Sequence, residues 1–430
     1  MLPNSRSLSR KEWIATLASL AVLTPFSSAQ NFTMGVTNPN PLGLGNFVPG
    51  FPGGPRLDEL GMEGAVKGAF SFSIGASAQY DSNIYLTEDN EEDDVTFSLT
   101  PSFGYTSDPE GGADIVLTAG YSPSINAYLN NSDFSGINHS GSAALTIRGA
   151  RTEVSIFGSA SQYTGSDRLS GGFIDSGITT SAGIRASRQI APRTSLNASF
   201  TASMSDYGDT VDSQPIAPVG PVDDQGSDVY TASVGGMWQS SERLSFGPSI
   251  RYTQDESDNT GTREAWALMF NANYKASEKI WLSASIGPET SENTDDPSGD
   301  STFHIVGNLT ATYIINERWT WMNSINSATV PSPYESGYNV FNVSYVTSLN
   351  RQLDIGSISG GLDFNVDQYE AVGIVTVDRD DEQSMGVFLS YGRPLFSDRI
   401  GFNSMLRYEF NNGETDWKQF TLSAGLNVSF

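Results

Sequence analysis

Cysteine is absent from this 430-residue sequence, and only two histidines are present. Without cysteine there is no disulfide framework, no thiol nucleophile and no thiolate metal site. Basic side chains are scarce too: 23 Lys and Arg stand against 49 Asp and Glu, giving a net charge of −26. No five basic residues run together. Phosphate binding needs clustered cations, so nucleic acid is excluded as a partner. Long apolar runs are missing as well. The stretch from Trp13 to Leu23 falls short of the roughly 20 residues that a membrane-spanning helix requires. Yet 38% of the residues are apolar and 11% aromatic, too many for a disordered chain.

The short apolar stretch has flanks that explain it. Arg6, Arg10 and Lys11 lie before or at its start, and Ser27-Ser28-Ala29 follows, with small residues at −3 and −1 of a cut before Gln30. These are the parts of a secretory signal, so residues 1–29 are expected to be removed on export. The remaining chain carries 20 basic and 48 acidic side chains. Residues 30–67 are rich in Gly, Pro and Asn, as in Gly50-Phe51-Pro52-Gly53-Gly54-Pro55. They show no apolar periodicity and read as a flexible periplasmic segment or a plug.

From residue 68 to residue 430 the pattern is alternation. Phe70, Phe72, Ile74, Ala76, Ala78 and Tyr80 share one face, and Ser71, Ser73, Gly75, Ser77 and Gln79 the other. The same period of two recurs at Leu196–Met204, Trp266–Tyr274 and Ile400–Tyr408, with Ser, Thr, Gly and Asn opposite the apolar residues. Segments of nine to twelve residues suit tilted membrane-spanning strands better than the shorter strands of a sandwich. Eight short turns, one near 349–353, alternate with nine long loops, among them 82–94, 206–228, 255–264, 289–301 and 367–383. That count predicts an all-β, antiparallel transmembrane barrel of 18 strands, or 16 if one hairpin is miscounted. The loops hold 33 of the 49 acidic residues, which marks them as the outer side. Outward Tyr and Trp, such as Trp238, Tyr274, Tyr313 and Trp319, fall at the short-turn ends, where a girdle belongs.

The last strand sets Phe420, Leu422, Ala424, Leu426, Val428 and Phe430 on one face. A closing strand that ends in Phe resembles the signal read by the bacterial barrel-assembly machinery. Its physical use is pairing with the first strand, so that no edge is left in lipid. The first strand and its loop read Gln79-Tyr80-Asp81-Ser82-Asn83-Ile84-Tyr85-Leu86-Thr87. This segment resembles the β-barrel porin-2-like outer-membrane proteins, a family often encoded beside exopolysaccharide genes. The resemblance implies a porin-like barrel with a link to surface polysaccharide, and it brings no catalytic residues.

Candidate chemistry is sparse. His304 alternates with Phe303 and Ile305 and so points into the lumen; an enzymatic role would need a carboxylate and a nucleophile within its hydrogen-bond reach. His139 has no recognisable partner, and the chain is read as no enzyme. The acidic run Glu88, Asp89, Glu91, Glu92, Asp93 and Asp94 offers oxygens for weak Ca²⁺ or Mg²⁺ screening, but a hydrated rim is the preferred reading over a defined cation site, and no cofactor is expected. The charged exceptions on the lumen face are Arg185, Arg251, Asp363, Arg407 and Glu409. They either set selectivity at a constriction or pair across strands and stiffen the wall.

The expected place is the outer membrane of a Gram-negative bacterium, with its lipid and lipopolysaccharide as surroundings. The leading expectation for function is passive diffusion of small hydrophilic solutes with mild cation preference. The alternative is a non-conducting or gated barrel serving exopolysaccharide export or surface attachment. Homo-oligomerisation stays open, because no interface can be read from one lipid face.

Overall fold

The computed structural model describes residues 70–430 apart from 109–111, 168–171, 208–209, 212–224, 258–260, 295–300, 332–337, 372–379, 397–398 and 414–415. The expected signal at 1–29 and the segment 30–67 lie outside the described residues. The barrel opens with β1 (Phe70–Asp81), β2 (Asp94–Thr106), β3 (Ile115–Tyr121, resuming as Ser124–Tyr128) and β4 (Gly136–Asn138 and Ser140–Arg148). It continues through β5 (Thr152–Asp167), β6 (Gly172–Ala191), β7 (Thr194–Tyr207), β8 (Gln225–Gln239) and β9 (Leu244–Ser257). Then come β10 (Gly261–Ser277), β11 (Ile280–Asn293), β12 (Ser301–Asn316), β13 (Trp319–Pro331) and β14 (Tyr338–Gln352). The last four are β15 (Ser357–Ala371), β16 (Glu382–Leu395), β17 (Ile400–Asn412) and β18 (Trp417–Ser429).

Each strand pairs antiparallel with the next, and β18 pairs back onto β1, with Ala76 opposite Leu426 and Asp81 opposite Thr421. The sheet is therefore closed at 18 strands. Closure satisfies every edge, which is the condition for strands to cross lipid. The period of two is obeyed in space: Leu422 and Leu426 are exposed outward while Thr421 and Gly425 are buried inward. Trp238, Tyr274 and Tyr313 stand exposed at the short-turn ends, as the girdle requires. At the same level Arg351 stacks on outward Trp319, 5.1 Å from the ring centroid. The β3 ladder breaks at Ser122–Pro123, because proline has no N–H to give a neighbour.

Two sequence expectations need correction. The turn placed near 349–353 falls at 353–356, since β14 carries its ladder on to Gln352 opposite Ser357. Several strands also run beyond the expected lengths, β6 to 20 residues and β10 to 17. Asp255, Arg263, Glu289, Asp367 and Glu382, read as loop residues, therefore stand on strands. Each is buried on the inner face. Alternation continued past the point where composition turned polar, because paired backbone outside the bilayer still forms a ladder.

One seam is not paired along its full length. The β12–β13 ladder stops at Gly307 opposite Ser327, although β11 stays paired with β12 as far as Ser301. Beyond the stop, β13 to β15 remain paired to one another and turn inward. Thr329, Val330, Tyr338, Asn339, Val340 and Asn342 are all buried, so both faces of this hairpin end are covered. The inward turn also brings β13 close to β9, four strands away across the lumen.

Candidate functional site

The inner wall is built on side chains that satisfy one another. Ser159 and Ser181 hydroxyls meet at 2.9 Å, Ser199 and Ser233 at 2.7 Å, and Ser291 and Thr302 at 2.9 Å. Amides join the pattern, Asn271 donating to Ser249 at 2.8 Å and Ser98 to Asn126 at 2.7 Å. Each pair lies across neighbouring strands on the inward parity, giving a polar, uncharged lining. Such a wall hydrogen-bonds water and hydroxylated solutes without holding any of them strongly.

Charge is concentrated in two clusters toward the outer end. Arg407 donates from Nη1 and Nη2 to the two oxygens of Asp363, at 2.7 and 3.0 Å. It also donates from Nε and Nη2 to Glu409 Oε2, at 2.9 and 2.7 Å. Arg407 and Asp363 are not on neighbouring strands; the guanidinium crosses β16 over Gly386, where a Cβ would lie 2.6 Å from both partners. The second cluster has the same logic. Arg251 on β9 reaches Glu289 on β11 at 2.9 Å across Ala267, and Arg263 bonds Asp255 at 2.6 Å and Glu289 at 2.7 Å. Small residues form the floor on which these side chains lie flat.

The remaining candidates are placed as follows. Arg185 lies over the Phe157 ring, 4.5 Å from its centroid, on the lumen side of β6. Glu88, Asp89, Glu91, Glu92 and Asp93 are exposed, but Asp94 is not part of that rim. Asp94 is buried, and its carboxylate accepts from the N–H groups of Val95, Leu129, Asn130 and Asn131 and from the Asn131 amide. It fastens the loop after β3 to β2. Among the described residues no group of three or more His, Asp or Glu is arranged to hold a metal ion. Phe430 at the chain end stacks on Phe72, ring centroids 5.2 Å apart.

The segment Asp81–Thr87 proves to be a clasp on the closing seam. Asn83 is fully buried; its amide donates to the carbonyls of Thr87 at 2.8 Å and Lys418 at 3.0 Å, and its oxygen accepts from the Thr87 N–H. Asp81 accepts from the Asn83 N–H and from the Gln419 amide. Ser82 and Phe420 exchange a further pair of bonds. Residues 338 positions apart are thereby tied at the point where the barrel shuts.

His304 does face the lumen, and it has found a carboxylate and a hydroxyl. Nε2 lies 2.9 Å from Glu370 Oε1 on β15, and Nδ1 3.3 Å from the Thr329 hydroxyl on β13. The condition set for an enzymatic reading is met in contacts but not in access. Phe341 stacks on the imidazole at 4.2 Å with 14° between planes, and Thr329 is buried, so no substrate reaches the hydroxyl. This is a contact between parts of the wall rather than an accessible reaction site. Sequence reasoning found His304 by parity, but its partners come from strands that only the inward turn brings near.

A closed 18-stranded barrel with an apolar outside and a polar inside is an outer-membrane protein of porin type. No family model matches the sequence, and no curated protein matches it. Among solved structures it is similar to OpdQ of Pseudomonas aeruginosa, at a TM-score of 0.47 and 12% identity over 84% of this chain and 100% of that one. OccK2 (OpdF) of the same species, in complex with glucuronate, gives 0.46 and 11% over 84% and 98%. OccAB3 of Acinetobacter baumannii gives 0.43 and 11% over 84% and 99%.

Proposed function

We propose that this barrel is a passive diffusion channel for small hydrophilic solutes, with a preference for cations. The observation that carries the reading is the inner wall: cross-strand hydroxyl and amide pairs below, and an excess of carboxylates above. In the outer half Asp255, Glu289, Asp363, Asp367, Glu382 and Glu409 face inward against Arg251, Arg263 and Arg407, among the described residues. Barrels of about 16–18 strands enclose an aqueous channel rather than a side-chain core. A surplus of negative charge in a narrow, partly dry passage raises the local concentration of cations and lowers that of anions.

The test is a planar bilayer holding the purified mature chain in a gradient of KCl. Ohmic current with a reversal potential of cation-selective sign is expected; a reversal potential near zero would remove the preference, and absence of current would remove the channel. The alternative is a gated barrel that serves polysaccharide export or surface attachment. Narrowing of the outer lumen by β13 and β14 favours its gated form. Deleting residues 30–67 separates the sources of closure, since current gained only on deletion would make that segment a plug.

A further inference from the structure

Arg188 is a cation on the face that meets lipid. It is in step with Ile184 on β6, and its ladder partner is Leu196 on β7; both of these apolar side chains are exposed outward. Its level is inside the girdle, because Trp238 pairs with Thr194, two residues nearer the turn than Leu196. The girdle itself is interrupted in this sector. Between Tyr105 of β2 and Trp238 of β8, the outward residues at the short-turn ends include Ile115, Ile147 and Leu196, and neither Trp nor Tyr.

Two turns bring further cations to the same place. The Gln189 N–H donates to the Arg151 carbonyl at 2.8 Å, which sets the turn between β4 and β5 beside Arg188. The Gln189 side-chain amide donates to the Pro192 carbonyl at 3.1 Å and steadies the turn that carries Arg193. Arg151, Arg188 and Arg193 are all exposed. None has a carboxylate partner among the described residues; Glu153, the acidic residue of these turns, is taken by Arg148 at 3.4 Å. At two other short turns the cations are committed, Lys275 to Glu278 at 2.6 Å and Arg318 to Asp354 at 2.8 Å. Three uncommitted guanidiniums gathered on neighbouring turns repel one another unless an anion comes between them.

We propose that Arg151, Arg188 and Arg193 form a headgroup site for an anionic glycerophospholipid of the periplasmic leaflet. The short turns of an outer-membrane barrel face the periplasm, and the lipid they meet there is phospholipid. Its phosphate is the ligand, since a planar guanidinium offers paired N–H donors to phosphate oxygens. Arg188 is rooted inside the girdle, and its long stem carries the charged head to phosphate level while the methylenes stay among apolar neighbours. The acyl chains then lie over Ile184 and Leu196. An acidic periplasmic protein does not fit, because it cannot reach a side chain rooted on the lipid face. The proposal goes beyond the channel reading and does not depend on it: bound lipid holds the barrel in register with the membrane where aromatic anchors are missing.

The absence of native cysteine makes the test direct. Leu196→Cys puts a single thiol beside Arg188, and Ile115→Cys puts one at the same end of β3, next to Asp114, as a reference. Each purified chain is labelled with a small bimane fluorophore and reconstituted in phosphatidylcholine vesicles containing a minor share of phosphatidylglycerol. Bromines are carried on the acyl chains of one lipid or the other in turn, and quenching gives the relative affinity of the two lipids at each position. Phosphatidylglycerol is expected to be favoured about ten-fold at position 196 and not at position 115. With Arg151, Arg188 and Arg193 all replaced by Gln, the preference at position 196 should fall to that at position 115. Equal affinity of the two lipids at position 196, or a preference unchanged in the triple variant, overturns the site. Should the triple variant fail to insert, Arg188→Gln alone carries the comparison, and an unchanged preference there overturns the site equally.

Discussion

Arg407 lies flat along the wall because Gly386 has no side chain, and the whole cluster depends on that absence. Gly386→Ala puts a carbon where Asp363 and Arg407 now meet, and both are locked by burial. A cost of about 1–3 kcal/mol is expected, measured as a lowered unfolding midpoint in detergent. Arg407→Met removes the cation and leaves Asp363 and Glu409 facing each other. That should cost about 3–5 kcal/mol, the usual result of stranding one side of a buried pair. Adding Asp363→Asn and Glu409→Gln should restore much of the loss; a triple variant no more stable than the single one would mean that charge is not the reason. Asn83→Ala loses the bonds to Thr87 and Lys418 inside a buried clasp. About 1–3 kcal/mol is expected, with faster unfolding from the seam, and an unshifted midpoint would refute the clasp.

Strands carry a simpler message, because one parity belongs to lipid and the other to the lumen. Leu426→Arg in β18 is expected to cost roughly 2–4 kcal/mol and to impair insertion, since a charge at mid-membrane depth has no partner there. Ser423→Arg, on the inward parity of the same strand, should insert and change conductance instead. Equal behaviour of the two variants in a folding assay would contradict the assignment of faces. The end of β13–β14 is the exception that marks itself. There both parities are buried, at Thr329 and Val330 and again at Tyr338, Asn339 and Val340. The reason is geometric: past Gly307 and Ser327 the outward face of β13 no longer meets the membrane.

At the scale of the barrel, charge is sorted by height. The exposed rim residues Glu91, Glu92 and Asp93 add to the field of the buried wall carboxylates. Neutralising these three, and leaving Asp94 to its structural bonds, should lower cation preference at low salt. At physiological salt the effect should fade, because screening acts over about 8 Å. A reversal potential unchanged in dilute KCl would assign selectivity to the wall alone. The acidic run offered no way to tell Asp94 from its neighbours, since what distinguishes it is a loop 35 to 37 residues further on.

Architecture was legible in the sequence to a high degree. Period-two alternation, short turns against long loops and a final apolar strand are local properties, and closure in lipid leaves few ways to satisfy them. Parity also pointed His304, Arg251, Asp363, Arg407 and Glu409 inward before any contact was known. What only the tertiary structure decided is who meets whom across more than one strand. Arg407 reaches Asp363 over Gly386, Asn83 ties β1 to β18, and His304 meets Phe341 and Glu370 because a ladder ends at Gly307. A pattern of alternation fixes the side of the sheet on which a residue stands. It carries no record of where neighbouring strands part, because that depends on the sum of contacts along the whole seam.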